Sequence, residues 1–185
     1  MNIHGKFVTL RAIRQEDAEL LHLWANDAQL WEMLGGWHFP YPIESTRKWI
    51  DSLAKDSLNQ RFAVETPELG LIGSANLVEI DWKNRNAFHG MMLGNPEIRG
   101  KGLGKDTIFA IMRYAFEELG LQRLDTTIIE YNEPSIQTYS RCGWKHEGTL
   151  RNWYFRKNQY WNKLLFGVTR EDYFERIASD DYWKP

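Results

Sequence analysis

Asn95-Pro96-Glu97-Ile98-Arg99-Gly100-Lys101-Gly102-Leu103-Gly104-Lys105 lies where an apolar run ends and a helical pattern begins. Upstream, Ala87-Phe88-His89-Gly90-Met91-Met92-Leu93-Gly94 is short and apolar, as a buried strand requires. Downstream, Ile108, Ile111, Met112, Ala115, Phe116 and Leu119 recur at helical spacing up to Gly120, a helix stop. A glycine-rich turn between strand and helix leaves backbone N–H groups unpaired at the helix N-terminus. The helix dipole adds partial positive charge there. The stretch therefore predicts a cradle for a phosphate or pyrophosphate.

Two familiar phosphate loops do not fit. A Walker A loop needs a glycine, four residues and then Gly-Lys-Ser/Thr. Here Asp106 follows Gly104-Lys105, and Arg99 stands at the first glycine, so the magnesium-binding hydroxyl is missing. A dinucleotide fingerprint needs Gly-x-Gly-x-x-Gly, and Lys105 occupies its third glycine. What remains is Arg99-x-x-Gly102-x-Gly104. Further along, Leu124 to Tyr131 is rich in β-branched residues and reads as a strand. It runs into Asn132-Glu133-Pro134-Ser135-Ile136-Gln137-Thr138-Tyr139-Ser140-Arg141-Cys142-Gly143-Trp144. Pro134 suits a first helical position and Gly143 a stop. Together the two segments resemble the GNAT superfamily of N-acetyltransferases. Its members carry Arg/Gln-x-x-Gly-x-Gly/Ala for coenzyme A and then Asn-x-x-Ser-x-x-x-Tyr-x-x-x-Gly-Phe, with Trp144 here replacing Phe.

A chain of 185 residues suits one domain, 1–185. No internal repeat, low-complexity tract or Ser/Gly linker interrupts it. The net charge of −2 gives no basic excess, so nothing favours nucleic acid as a partner. The lone Cys142 excludes an internal disulfide and fits a reducing compartment. Without an apolar signal core or a membrane-length run, the expectation is a cytoplasmic protein with no membrane partner.

The elements read in order as follows. A strand covers Lys6 to Ile13, and a helix Glu16 to Leu34 with a break signal at Asn26-Asp27. A second helix buries Trp49, Ile50, Leu53 and Ala54. A hairpin joins Arg61–Glu65 to Leu71–Ile80, and the apolar strand, glycine loop and helix follow. After the Leu124 strand and its helix come a hairpin around Lys157-Asn158-Gln159 and a short helix, Glu171 to Ile177. This α/β order matches the GNAT fold. The resemblance implies a mostly antiparallel mixed sheet of about seven strands, splayed between the fourth and fifth. About four helices and a short C-terminal helix would flank it. Leu10-Arg11, Trp24-Ala25-Asn26-Asp27 and the last hairpin further resemble the branch that acetylates ribosomal-protein N-termini.

The resemblance implies an enzyme that transfers acetyl from acetyl-CoA to a primary amine, by direct attack in a ternary complex, with no metal. Ile98, Arg99, Gly100, Lys101, Gly102, Leu103, Gly104 and Lys105 would hold the pyrophosphate. The backbone of Met92 and Leu93 would pair with the pantetheine arm, and Gly90 and Gly94 would allow the bend that starts the splay. Asn132 and Ser135 would bond the pantetheine or order the helix start. Tyr139 would protonate the departing thiolate, since a phenol titrates above a thiol.

The base for the amine stays open. Many relatives carry Glu in Ala-Glu-Phe-Gly, where this chain has Ala87-Phe88-His89-Gly90. His89 has a suitable intrinsic pKa but alternates to the opposite strand face from residue 88. Glu97, Glu130, Glu79 and His38 are further candidates. Trp31, Glu32, Trp37, His38 and Tyr154 are candidate acceptor-binding residues, drawn from the abundant aromatics and from carboxylates able to pair an ammonium. A small amine or amino sugar and a protein N-terminus both remain as acceptors. The absent strand Glu keeps a non-catalytic acyl-CoA-binding module as the alternative. Free sheet edges and exposed aromatics would suit a homodimer.

Overall fold

The computed structural model describes residues 1–36, 39–94, 98 and 100–184. Among them are eight strands and six α-helices. The chain runs β1 (Ile3–His4), β2 (Thr9–Ala12), α1 (Ala18–Ala25), α2 (Ala28–Met33), α3 (Ile43–Ser52), β3 (Gln60–Thr66), β4 (Gly70–Asp81) and β5 (Asn86–Leu93). It continues through α4 (Leu103–Arg113), β6 (Arg123–Ile129), α5 (Glu133–Arg141), β7 (Lys145–Arg156), β8 (Gln159–Thr169) and α6 (Arg170–Asp180). One sheet has the order β1-β2-β3-β4-β5-β6-β8-β7. Every neighbouring pair is antiparallel except β5–β6.

Side chains alternate across the sheet, so each strand feeds two cores. Leu21, Trp24 and Ile50 of α1 and α3 pack over Ala63 and Leu71, with Met92 against them. On the other face α4 is buried along most of its length, and its Ile108, Ile111 and Met112 join Leu77, Ala87, Leu124 and Val168.

Of the N-terminal strand expected over Lys6–Ile13 only β2, Thr9–Ala12, forms, and the short β1, Ile3–His4, precedes it. Gly5 turns back on Val8, and the N–H groups of Lys6, Phe7 and Val8 bond to the Asp106 side chain instead of a strand. This adds the eighth strand and moves the splay to β5–β6, between the same segments. The helix expected over Glu16–Leu34 breaks at Asn26-Asp27, because the Asp27 carboxylate caps a new helix at Gln29 and Leu30. Pro134 takes the second helical position of α5. After Arg113 the last turn widens to a π turn, Tyr114–Glu118, before Gly120 at φ 67° ends it.

β5 pairs with β6 at only three positions, Asn86–Arg123, Ala87–Leu124 and Phe88–Asp125. Beyond them the two strands keep their outer partners, β4 and β8, and lose each other. Gly90 pairs in register with Asn76, but its N–H donates to the Asn76 side chain at 2.9 Å. The irregularity lies on β4 between Val78 and Asp81, where Glu79 has φ 54°. Gly94 serves a different purpose, since a Cβ there would overlap the Trp24 ring.

Candidate functional site

The loop before α4 is built from backbone. Gly100 and Gly102 adopt φ 76° and 74°, a region that favours glycine. Ile98 and Leu103 are buried and plant the loop in the core. Gly102 is the N-cap of α4 and, having no side chain, makes no side-chain cap hydrogen bond. Helices α2, α5 and α6 are capped by Asp27, Asn132 and Thr169, whereas α1 and α3, like α4, have no side-chain cap. Around Gly100 and Gly102 the space is open, and Gly104 faces Met91, Leu93 and Thr138. Lys101 is exposed. The Lys105 ammonium lies 3.8 Å from Asp180 and over the rings of Phe109 and Tyr182, so its charge is turned towards the C-terminal segment. Arg99 lies outside the described residues, as do Trp37, His38 and Glu97.

The slot between β5 and β6 begins just past Phe88 and Asp125. Met92 and Leu93 lie along it, each paired with β4 on the other side. At its vertex sit His89 from β5, Thr126 from β6 and Tyr139 from α5. Tyr139 is buried, and its ring lies 5.1 Å from Trp144, edge-on, and 5.9 Å from His89. Burial holds its pKa well above the usual tyrosine value, and the Thr126 side chain offsets part of that rise.

His89 is fully buried, and its Nδ1 lies 2.9 Å from the Asn76 carbonyl oxygen. A carbonyl only accepts, so Nδ1 carries the proton and Nε2 presents its lone pair. Among the described residues Nε2 has no hydrogen-bond partner. Burial lowers the His89 pKa to about 4, so the ring is neutral near pH 7.

Asn132 has two tasks that sequence reading did not separate. Its Oδ1 accepts from the Ser135 N–H at 3.2 Å, and its Nδ2 donates to the Met33 carbonyl at 2.9 Å. The neighbouring Tyr131 hydroxyl donates to the Glu32 carbonyl. The end of α2 is thereby tied to the start of α5. Of the other base candidates, Glu130 accepts from the backbone and side chain of Asn162 at 2.6 and 2.9 Å. Glu79 is exposed at the β4 bulge.

A cleft of about 420 Å³ opens between α2 and the β7–β8 hairpin. Ala28, Trp31, Glu32, Phe155, Arg156 and Lys157 line it, with Glu32 2.8 Å from Lys157. Trp31 and Glu32 thus meet as expected candidates. Tyr154 does not line the cleft. It is buried and packs against Gly35. Phe155, Arg156 and Lys157 were missed as individual residues, although the hairpin turn at Lys157-Asn158 was legible. Among the described residues no three His, Cys, Asp or Glu side chains are grouped to hold a metal, and no helix is long and apolar enough to cross a membrane.

A family model described as an acetyltransferase (GNAT) domain matches residues 8–145. The chain belongs to the GNAT acetyltransferases. An SPbeta prophage-derived uncharacterized N-acetyltransferase of Bacillus subtilis, YokL, is 32% identical over 91% of this chain and 93% of its own length. The spermidine N(1)-acetyltransferase of Escherichia coli K12 is 30% identical over 90% of this chain and 88% of its own. The crystal structure of spermidine N-acetyltransferase from Vibrio cholerae in complex with CoA and spermine superposes with a TM-score of 0.83. It is 25% identical and covers 92% of this chain and 99% of that one. This GNAT chain is an N-acetyltransferase with acetyl-CoA as its acyl donor. The uncapped glycine turn and the adjoining slot fit such a donor, a pyrophosphate followed by an extended arm.

Proposed function

We propose that the chain acetylates the primary amine of a small acceptor by direct attack within a ternary complex. The observation that carries this reading is the vertex of the splay, where a buried phenol stands at the blind end of the slot. The arm's amides would pair with the free edge of β5 along Met92 and Leu93, leaving the thioester near Tyr139. Tyr139, whose pKa is pushed up, keeps its proton until a thiolate forms and then donates it. A route through an acetylated cysteine has no nucleophile. Cys142 is the only cysteine, is fully buried, and burial pushes its thiol up to about 12.

Phe88 holds the position of the missing strand Glu. His89, neutral and fully buried between Tyr139 and Trp144, is a weak base there, with its pKa lowered to about 4. The amine then enters deprotonated from water. With no protein base, kcat/KM for the amine rises about tenfold per pH unit up to the amine's own pKa. A plateau below that pKa would show that a protein base exists.

A cleft of this size with two aromatic walls and Glu32 suits a small molecule. The spermidine acetyltransferases named above support an amine of that kind. A protein N-terminus, as for the ribosomal-protein branch, is the second reading. The residues that suggested it have folding tasks. Arg11 pairs with Asp17 and Glu65, Trp24 packs on Gly94, and Asp27 caps α2. The test is CoA release from acetyl-CoA against polyamines, amino sugars, amino acids and peptides with free N-termini. Turnover with small amines is expected. Turnover with peptides alone would replace this reading by the second.

A further inference from the structure

Asp106 is the fourth residue of α4, within one turn of the glycine loop, and faces away from it. It is 1% exposed. Oδ1 accepts from the Lys6 N–H at 2.9 Å and the Tyr182 hydroxyl at 2.7 Å. Oδ2 accepts from the N–H groups of Phe7 at 2.7 Å and Val8 at 2.9 Å. Three successive N–H groups converging on one point form an anion nest. Here the nest between β1 and β2 is filled by a side chain of α4. Gly5 closes the contact, since a Cβ there would overlap the carboxylate.

A buried carboxylate is costly unless its oxygens are bonded, and four donors meet that need. The same four bonds fix where α4 begins. Tyr182 also stacks on Phe109, with ring centres 4.0 Å apart, and Lys105 reaches over both rings towards Asp180. The N-terminal turn, the C-terminal segment and the first turns of α4 thus form one knot directly behind the loop. Backbone N–H groups can grip a diphosphate only when their spacing is held, because hydrogen bonds weaken steeply with distance and angle.

We propose that Asp106 is a positioning residue for the acyl donor. It locks the first turn of α4 against the β1–β2 turn and Tyr182, and so holds the loop N–H groups in register for the pyrophosphate. The inference rests on the reading of the α4 N-terminus as the pyrophosphate cradle.

Two donors separate the possibilities: acetyl-CoA, and acetyl-pantetheine, which lacks the pyrophosphate and nucleotide. The full chain should prefer acetyl-CoA; equal use of both would remove the cradle reading and this proposal with it. With the preference present, Asp106→Asn is expected to raise KM for acetyl-CoA about tenfold, equivalent to about 1.4 kcal/mol. KM for the amine and kcat/KM for acetyl-pantetheine should stay unchanged. Tyr182→Phe, which keeps the ring stack and removes one of the four bonds, should give the same selective loss at a few-fold. Equal losses on both donors, or no loss on either, would overturn the proposal. Should Asp106→Asn fail to fold, Tyr182→Phe decides by the same criteria.

Discussion

The two faces of the sheet are held by different means. On the donor face, α4, α5 and α6 share one continuous core from Val8 to Tyr173. Several polar groups there are paired across the chain: Asp106 with the N-terminal turn, Tyr173 with Glu117 at 2.6 Å, and Trp183 with Tyr173 at 2.9 Å. On the acceptor face the buried cluster is small, and α2 contributes no buried residue. There α2 hangs on bonds from Asn132 and Tyr131 and on the ion pair of Glu32 with Lys157. A preorganised site loses less on binding. On the proposed reading the donor, always the same molecule, would meet the rigid face, and the acceptor the lightly anchored one.

The largest expected effect falls at the vertex of the rigid face. Tyr139→Phe should lower kcat roughly 10²–10⁴-fold while the Kd for acetyl-CoA holds. Stability should fall by no more than about 1 kcal/mol, because the ring keeps its packing on Trp144. An unchanged kcat would remove the acid and leave the donor face a binding platform. Next is the place where the two faces meet. Gly94→Ala drives a methyl into Trp24 and should cost roughly 1–3 kcal/mol in thermal unfolding. Replacing Trp24 with a smaller residue in the same chain should recover part of it. Full additivity would mean that the faces are independent.

A pH series sharpens the contrast further. His89 titrates near 4 when folded and near 6.5 when unfolded, so the unfolded chain binds more protons between those values. Its contribution is intact above about 6.5 and declines as the pH falls towards 4, by at most about 1.4 kcal/mol per unit. His89→Gln should show a shallower decline than the parent chain; identical slopes would mean that the ring is hydrated. Smallest is the acceptor face. Lys157→Ala breaks an exposed pair and should leave Tm nearly unchanged while shifting KM for the amine. A large drop in Tm would show the acceptor face to be as firmly held as the donor face.

The same contrast decides what was readable in the sequence. The donor side declares itself locally. A strand, Gly100-x-Gly102-x-Gly104 and a periodic helix follow from conformational rules acting over a few residues, and so do the Asn132 cap and the Gly143 stop. The acceptor side and the Asp106 knot depend on side chains meeting across long separations, as with Lys6 and Asp106, or Asn132 and Met33. No local period encodes such pairs. Asp106 looked like a defect in a phosphate loop because its backbone position was legible and its direction was not. The strand over Lys6–Ile13 was misread for the matching reason, since its N–H groups had a partner a hundred residues away.

The inaccessibility of Cys142 also has a use at the bench. A colour-forming thiol reagent present during turnover would find nothing to modify on the folded chain. Every equivalent of colour would be released CoA, without a protein blank. A slow extra equivalent per chain would signal opening of the core around Trp144, making the reagent a clock for unfolding as well as for catalysis.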